Sequence, residues 1–238
     1  MMPTVIFIPG LLNDEEVWAD VAAAMRSRGV ATRVVDVAKR LTIAAAADAA
    51  SRLVDDVAPQ GPLVIAGFSM GGYVALEMLV RSQRPIHGAV LVSTSARAET
   101  LEGMALREKS IHALGSDFLR AIERVVQWGL GDRNEAIEER LRQMMHRVGA
   151  ETAIRQTRAV MDRSDQRARL PELMLPVRVI CGDSDRITPP ELSREMAALL
   201  PNSRLILVPG AGHMLPFENP SSIIDAIQDL LSPDALTA

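Results

Sequence analysis

Cysteine is almost missing from this chain: Cys181 stands alone, so no intramolecular disulfide can form. Its place at the end of the apolar run Val177 to Cys181 suits a small buried residue better than a reactive thiol. Positive charge is not in excess either. Lys and Arg total 26 against 30 Asp and Glu, a formal net charge of −4, and that balance offers no basic surface for nucleic acid. No apolar stretch is long enough to span a bilayer. The start, Met1-Met2-Pro3-Thr4, runs straight into strand-forming residues without the charged, apolar and small-residue zones of a signal peptide, so the cytoplasm is the expected compartment. No repeat or low-complexity linker interrupts the chain. Histidine is scarce, with four copies, which leaves few choices for an imidazole base.

What is present is an alternation. Apolar runs of strand length cover Thr4 to Ile8, Ala31 to Val35, Leu63 to Ala66, Ala89 to Val92, Val177 to Cys181 and Leu205 to Val208. Helical patterns lie between and after them, over Glu15 to Ser27, Ile43 to Val57, Gly71 to Ser82, Pro190 to Leu200 and Ser221 to Leu231. Such a series implies an α/β fold, a mostly parallel, doubly wound sheet with helices on both faces. With 238 residues, 48% of them hydrophobic, the chain can bury one substantial core and carry a modest insertion. The alternation breaks once, between Ala96 and about Leu170, where charge mixes with Leu, Ile, Met and Ala at helical spacing. Gly115, Gly129, Gly131 and Gly149 divide that stretch into about four helices, because glycine is poor inside helices and good at their ends. The expected organisation is a core of residues 1–95 and 171–238 with a helical insertion at 96–170.

One motif carries chemistry. Gly67-Phe68-Ser69-Met70-Gly71-Gly72 sits between a strand pattern and a helical one, the setting of a nucleophile elbow. A serine in so tight a turn needs strained backbone, and glycines two residues to either side remove the side chains that would collide. The helix start behind Ser69 offers unpaired N–H groups and a positive dipole end to an oxyanion. A general base and an orienting acid are then required. His87, His112 and His146 fall where solvated or capping roles suit them. His213, in Gly210-Ala211-Gly212-His213-Met214 directly after a strand, belongs on a loop at the sheet's carboxyl edge, where Ser69 should be. Two carboxylates compete for the third role after Val177 to Cys181. Asp185 is the preferred acid, with Asp183 the rival that could equally be a turn residue. The loop Ser93-Thr94-Ser95 offers no carboxylate.

These motifs, in the order Ser, Asp, His, resemble those of the α/β-hydrolase superfamily, and the resemblance covers nearly the whole chain. Gly182 to Asp185 is similar to its acid loop, and Gly212-His213 followed by Glu218-Asn219-Pro220 to its histidine loop. The resemblance implies that residues 96–170 form a helical cap over the serine. It also implies an oxyanion loop at Pro9-Gly10-Leu11-Leu12-Asn13, with the backbone N–H groups of Leu11 and Met70 as donors. Pro9-Gly10 stands where many relatives carry His-Gly, and proline stiffens the loop's entry. The implied activity is hydrolysis of a small or medium, mainly uncharged carboxylic ester through an acyl-enzyme, with no metal or organic cofactor. Thioesterases, carbon–carbon bond hydrolases and a catalytically weak ligand-binding module are the alternatives. Leu12, Phe68, Trp128, Ile187 and Met214 are the candidate pocket residues. Phe118, Met104, Met144, Met145 and Met161 either line a pocket or pack a core, and Trp18 is expected to pack. The arginines of the insertion, such as Arg124 and Arg155, cannot be oriented from sequence. Oligomeric state is open.

Overall fold

A computed structural model of the chain describes residues 2–57, 61–82 and 84–232. Strands β1 (Thr4–Ile8), β2 (Ala31–Val34), β3 (Leu63–Phe68), β4 (Gly88–Val92), β5 (Val177–Gly182) and β6 (Ser203–Val208) form one parallel sheet in the order β2-β1-β3-β4-β5-β6. Side chains alternate across it. Val5, Phe7, Val64, Ala66, Phe68, Val90 and Val92 enter the core on one face, while Ile6, Ile8, Leu63, Ile65, Ala89 and Leu91 enter the core on the other. This two-sided burial is why the central strands read as unbroken apolar runs. Full burial of each large apolar side chain contributes roughly 1.5–3 kcal/mol, so the central strands anchor the fold. β6 begins two residues earlier than its apolar run, at Ser203-Arg204, because an edge strand need not bury its whole length.

Helices α1 (Ala19–Ser27) and α10 (Pro220–Leu230) pack on the first face, and α2 (Ile43–Val57), α3 (Met70–Arg81) and α8 (Pro190–Leu199) on the second. The stretch expected as one helix from Glu15 divides. Asp14 accepts the Glu16 N–H at 3.0 Å and tightens Glu15–Trp18 into a 3-10 turn before α1 begins. Between β4 and β5 lie α4 (Leu101–Ser116), α5 (Phe118–Gly129), α6 (Glu135–Val148) and α7 (Ala150–Met161), with Gly129 and Gly149 at helix ends as their chemistry suggests. A short α9 (Leu215–Glu218) follows His213. Among the described residues no helix is long and apolar enough to cross a membrane.

The chain leaves β1 first toward β2 and later, through β3, toward the opposite edge, so β1 and β3 flank the point where the strand order reverses. Their loops diverge there and open a crevice at the carboxyl ends. Register sets what meets in it. Ile8 pairs with Gly67, Phe68 with Val92, Val92 with Ile180 and Gly182 with Val208, which brings the loops after β1, β3, β4, β5 and β6 to one edge.

Candidate active site

Ser69 is half-buried between β3 and α3 with φ 52° and ψ −116°, a left-handed conformation that costs a side-chain-bearing residue about 1–3 kcal/mol. Its surroundings hold it there. The Ser69 N–H donates to the Val92 carbonyl at 2.9 Å, and the Ser69 carbonyl accepts from the Gly72 N–H at 2.9 Å and the Thr94 hydroxyl at 2.8 Å. A Cβ on Gly67 would strike the Gly71 carbonyl, one on Gly71 the Ile8 carbonyl, and one on Gly72 the Thr94 side chain. All three glycines are thus demanded by close approach. Thr94, in the loop that offers no acid, is part of the brace.

His213 is buried, with Nε2 3.0 Å from Ser69 Oγ and Nδ1 2.9 and 3.1 Å from the two Asp185 oxygens. Asp185 is itself buried and accepts the Ile187 and Thr188 N–H groups at 2.9 Å and the Thr188 hydroxyl at 2.8 Å. Burial alone would raise its pKa, but the adjoining imidazole and these donors outweigh it and hold the carboxyl below its ordinary 3.8. Asp183 is exposed and spent on local bonds, accepting from the Gly210 N–H at 2.8 Å and the Ser184 hydroxyl at 3.0 Å. Only one of the two competing acids therefore reaches the imidazole. Thr188, also 3.2 Å from His213 Nδ1, is a residue that sequence reasoning missed.

The loop after β1 passes beside the elbow, with Leu12 at φ 63°. Neither the Leu11 nor the Met70 N–H donates to a protein acceptor among the described residues. The neighbouring Leu12 N–H does, to Gln156 Oε1 at 2.9 Å across 144 residues of sequence. Gln156 lies on α7 and is 1% exposed, and its Nε2 has no partner among the described residues. Nothing in the local sequence points to it, because a buried amide within a helical pattern carries no motif. Glu218 is named in the sequence only as part of the histidine-loop motif, which gives it no partner. Its carboxylate accepts the Gly131 N–H at 2.8 Å and the Gly212 N–H at 3.0 and 3.1 Å, joining the end of α5 to the histidine loop. Burial raises its pKa against the pull of those donors. Met214 adds to the same seam, its N–H donating to the Gly129 carbonyl at 2.9 Å.

The candidate pocket residues separate. Phe68 is buried with its ring 5.2 Å from the His213 ring, and Met214 is buried beside Gly129. Leu11 and Leu12 line a cavity of about 350 Å³ bounded by α4, α5 and Thr157 of α7. Trp128 is 58% exposed and Ile187 39% exposed, and the Arg186 guanidinium lies 5.5 Å from the Trp128 ring centre. Met144 and Met145 are fully packed in the core, whereas Phe118, Met104 and Met161 are half-buried. Trp18 packs as expected, 4.8 Å from Phe7 and edge-on to Phe68. His87 accepts the Leu63 N–H at 3.0 Å at the start of β3, and exposed His146 meets Phe118 edge-on. Burial pushes the Cys181 thiol up to about 12, so this cysteine is held as a neutral core residue. No cluster of three or more His, Cys, Asp or Glu able to hold a metal occurs among the described residues.

Comparison with known proteins agrees with this architecture. The chain is 30% identical over 184 residues, covering 74% of its own length and 70% of the other, to a pimeloyl-[acyl-carrier protein] methyl ester esterase of Neisseria meningitidis. It superposes with a TM-score of 0.85 and 26% identity on a malate-bound thermophilic esterase from Thermogutta terrifontis, over 97% of this chain and 89% of that one. A bromoperoxidase from Bacillus anthracis shares the fold at a TM-score of 0.84 and 18% identity, over 97% and 92%. The model of the alpha/beta hydrolase family matches residues 5–226, nearly the whole sheet with its helices, and the chain belongs to that family.

Proposed function

We propose that the chain is a serine hydrolase that cleaves a small or medium carboxylic ester through an acyl-enzyme. The observation that carries this reading is the hydrogen-bonded line from Asp185 through His213 to Ser69, ending on an oxygen held at a strained elbow. In it Ser69 Oγ attacks the ester carbonyl carbon and passes its proton to His213 Nε2. Asp185, ionised and fixed by Thr188, stabilises the imidazolium and keeps its tautomer. The oxyanion of the tetrahedral intermediate accepts from the Leu11 and Met70 N–H groups, each donor being worth about a hundredfold or more in rate. When the intermediate collapses, the alcohol leaves with the proton from His213. Water, deprotonated by the same imidazole, then attacks the acyl-enzyme and releases the acid. Every proton moves among Ser69, substrate, water and His213, so no step calls for a metal or organic cofactor.

In this reading residues 96–170 act as a cap on the core formed by 1–95 and 171–238, and Gln156 is the cap's grip on the oxyanion loop. The esterase relatives support the choice of ester. The test pairs fluorophosphonate labelling with hydrolysis of p-nitrophenyl esters of increasing acyl length, comparing wild type with Ser69→Ala. Labelling at Ser69 and serine-dependent turnover are expected. Purified protein that neither labels nor turns over an ester would sink the mechanism and leave the fold as a binding module.

A further inference from the structure

The cavity beside the oxyanion loop has apolar walls, among them Leu11, Leu12, Leu114 and Val125, and three cations, Arg107, Lys109 and Arg124. No carboxylate lines it among the described residues. In the same four helices and their connections Arg133, Arg140, Arg142, Arg147 and Arg155 each pair with a carboxylate, whereas Arg120 and Arg158, which do not line the cavity, form no ion pair among the described residues. Lys109 and Arg124 form no ion pair among the described residues, and Arg107 shares the single Glu99 carboxylate with Arg163, each at 2.9 Å. What sets the chamber apart is the gathering of three cations round one partly apolar lining that holds no carboxylate. A larger cavity of about 480 Å³, beside α6 and α7, has the opposite lining, with Asp14, Glu15 and Asp36 beside an Arg147 already paired to Asp14.

Like charges around an apolar chamber repel one another, and an anion among them relieves that repulsion. Lys109 and Arg124 are exposed and Arg107 half-buried, so solvent and salt screen their attraction. Leu11 and Leu12 belong both to this chamber and to the loop proposed to hold the oxyanion, which puts the chamber next to that loop. We infer that the cavity receives the remote arm of the substrate, an apolar segment that leads from the ester carbonyl to an anionic group held by Arg124, Lys109 and Arg107. This rests on the ester-hydrolase reading and replaces the mainly uncharged ester expected from the sequence. Arg155, committed to Glu151, has no such role.

The experiment compares methyl half-esters of dicarboxylic acids with methyl esters of monocarboxylic acids of matched length, over a range of spacers. A second arm compares acetates of ω-hydroxy acids with alkyl acetates, and so tells whether the anion rides on the acyl or the alcohol half. The expected result is an anionic-to-neutral ratio of kcat/KM of about tenfold or more in one arm, carried by KM and falling as salt is raised. In Arg124→Gln combined with Lys109→Gln that ratio should collapse toward unity. Serine-dependent turnover with equal or lower rates on the anionic members of both arms, or a ratio that persists in the double variant, would overturn the inference alone. Absence of turnover in both arms together with absence of phosphonate labelling would overturn the hydrolase reading and the inference with it.

Discussion

At the strand ends, Ser69, Asp185 and His213 each sit within five residues of the end of a parallel strand whose backbone is locked by its neighbours, whereas helices α4–α7 join the core through buried side chains such as Ile122, Val126, Leu141 and Met144 and add separate polar contacts at the rim. Arg147 pairs with Asp14, Arg140 with Glu16 and Asp20, and Gln156 holds the Leu12 N–H. The first arrangement is stiff because sheet register and glycine packing leave no alternative positions. In the second, the polar contacts at the rim can be revised one at a time while the apolar packing beneath them stays. The proposed function places chemistry at the strand ends, and access and selectivity in the helices.

The comparison breaks if removing the strand-end groups does not have the largest effect. Ser69→Ala is expected to lower kcat by roughly 10⁴-fold or more, read on an activated ester with labelling as control. Asp185→Asn should follow at about 10⁴-fold through the wrong imidazole tautomer, while Asp183→Asn stays within a few-fold; the reverse order would unseat Asp185. Across the boundary, Gln156→Leu leaves a buried N–H unpaired, with an expected loss of about 1–3 kcal/mol in unfolding free energy. The same change should lower kcat by about tenfold to a hundredfold as the oxyanion loop loosens, with KM little changed. If kcat is untouched, the loop is held by the core alone.

A pH experiment sharpens the same contrast. The Asp185 pKa is depressed in the fold, so its stabilising contribution is present above its ordinary 3.8 and is lost as pH falls through the lower folded value. Thermal melts should therefore show a gap between wild type and Asp185→Asn that holds at neutral pH and closes below pH 3.8. A gap that does not narrow would mean that the carboxylate is not ionised in the fold. Smallest of all is Trp128→Ala. On an exposed face of α5 it should shift stability by about 0.5 kcal/mol or less, measured in urea.

Much of the fold and of the candidate site is legible in the chain's local patterns. Ser69 and His213 can be read because elbow and loop chemistry are local: glycines at close approaches, strand before, helix after. Asp185 can be preferred but not separated from Asp183, since both follow the same strand and only burial and the turn through Thr188 distinguish them. The roles of Thr94, Gln156 and Thr188, and the contacts of Glu218 within its motif, escape notice because each acts through a partner distant in sequence or through a turn that carries no pattern. Trp128 shows the converse, an aromatic at helical spacing whose exposure no pattern reveals.

Short-range pattern is enough to specify the alternation that makes a parallel sheet and to single out the proposed nucleophile, base and acid loop, because periodicity and turn constraints act over a few residues. Which acid meets the imidazole, which helix holds the loop after β1, and which cations gather at a cavity emerge only on folding. Those outcomes depend on how four helices settle on a sheet, and contacts across 144 residues are set by packing of the whole chain, not by neighbours.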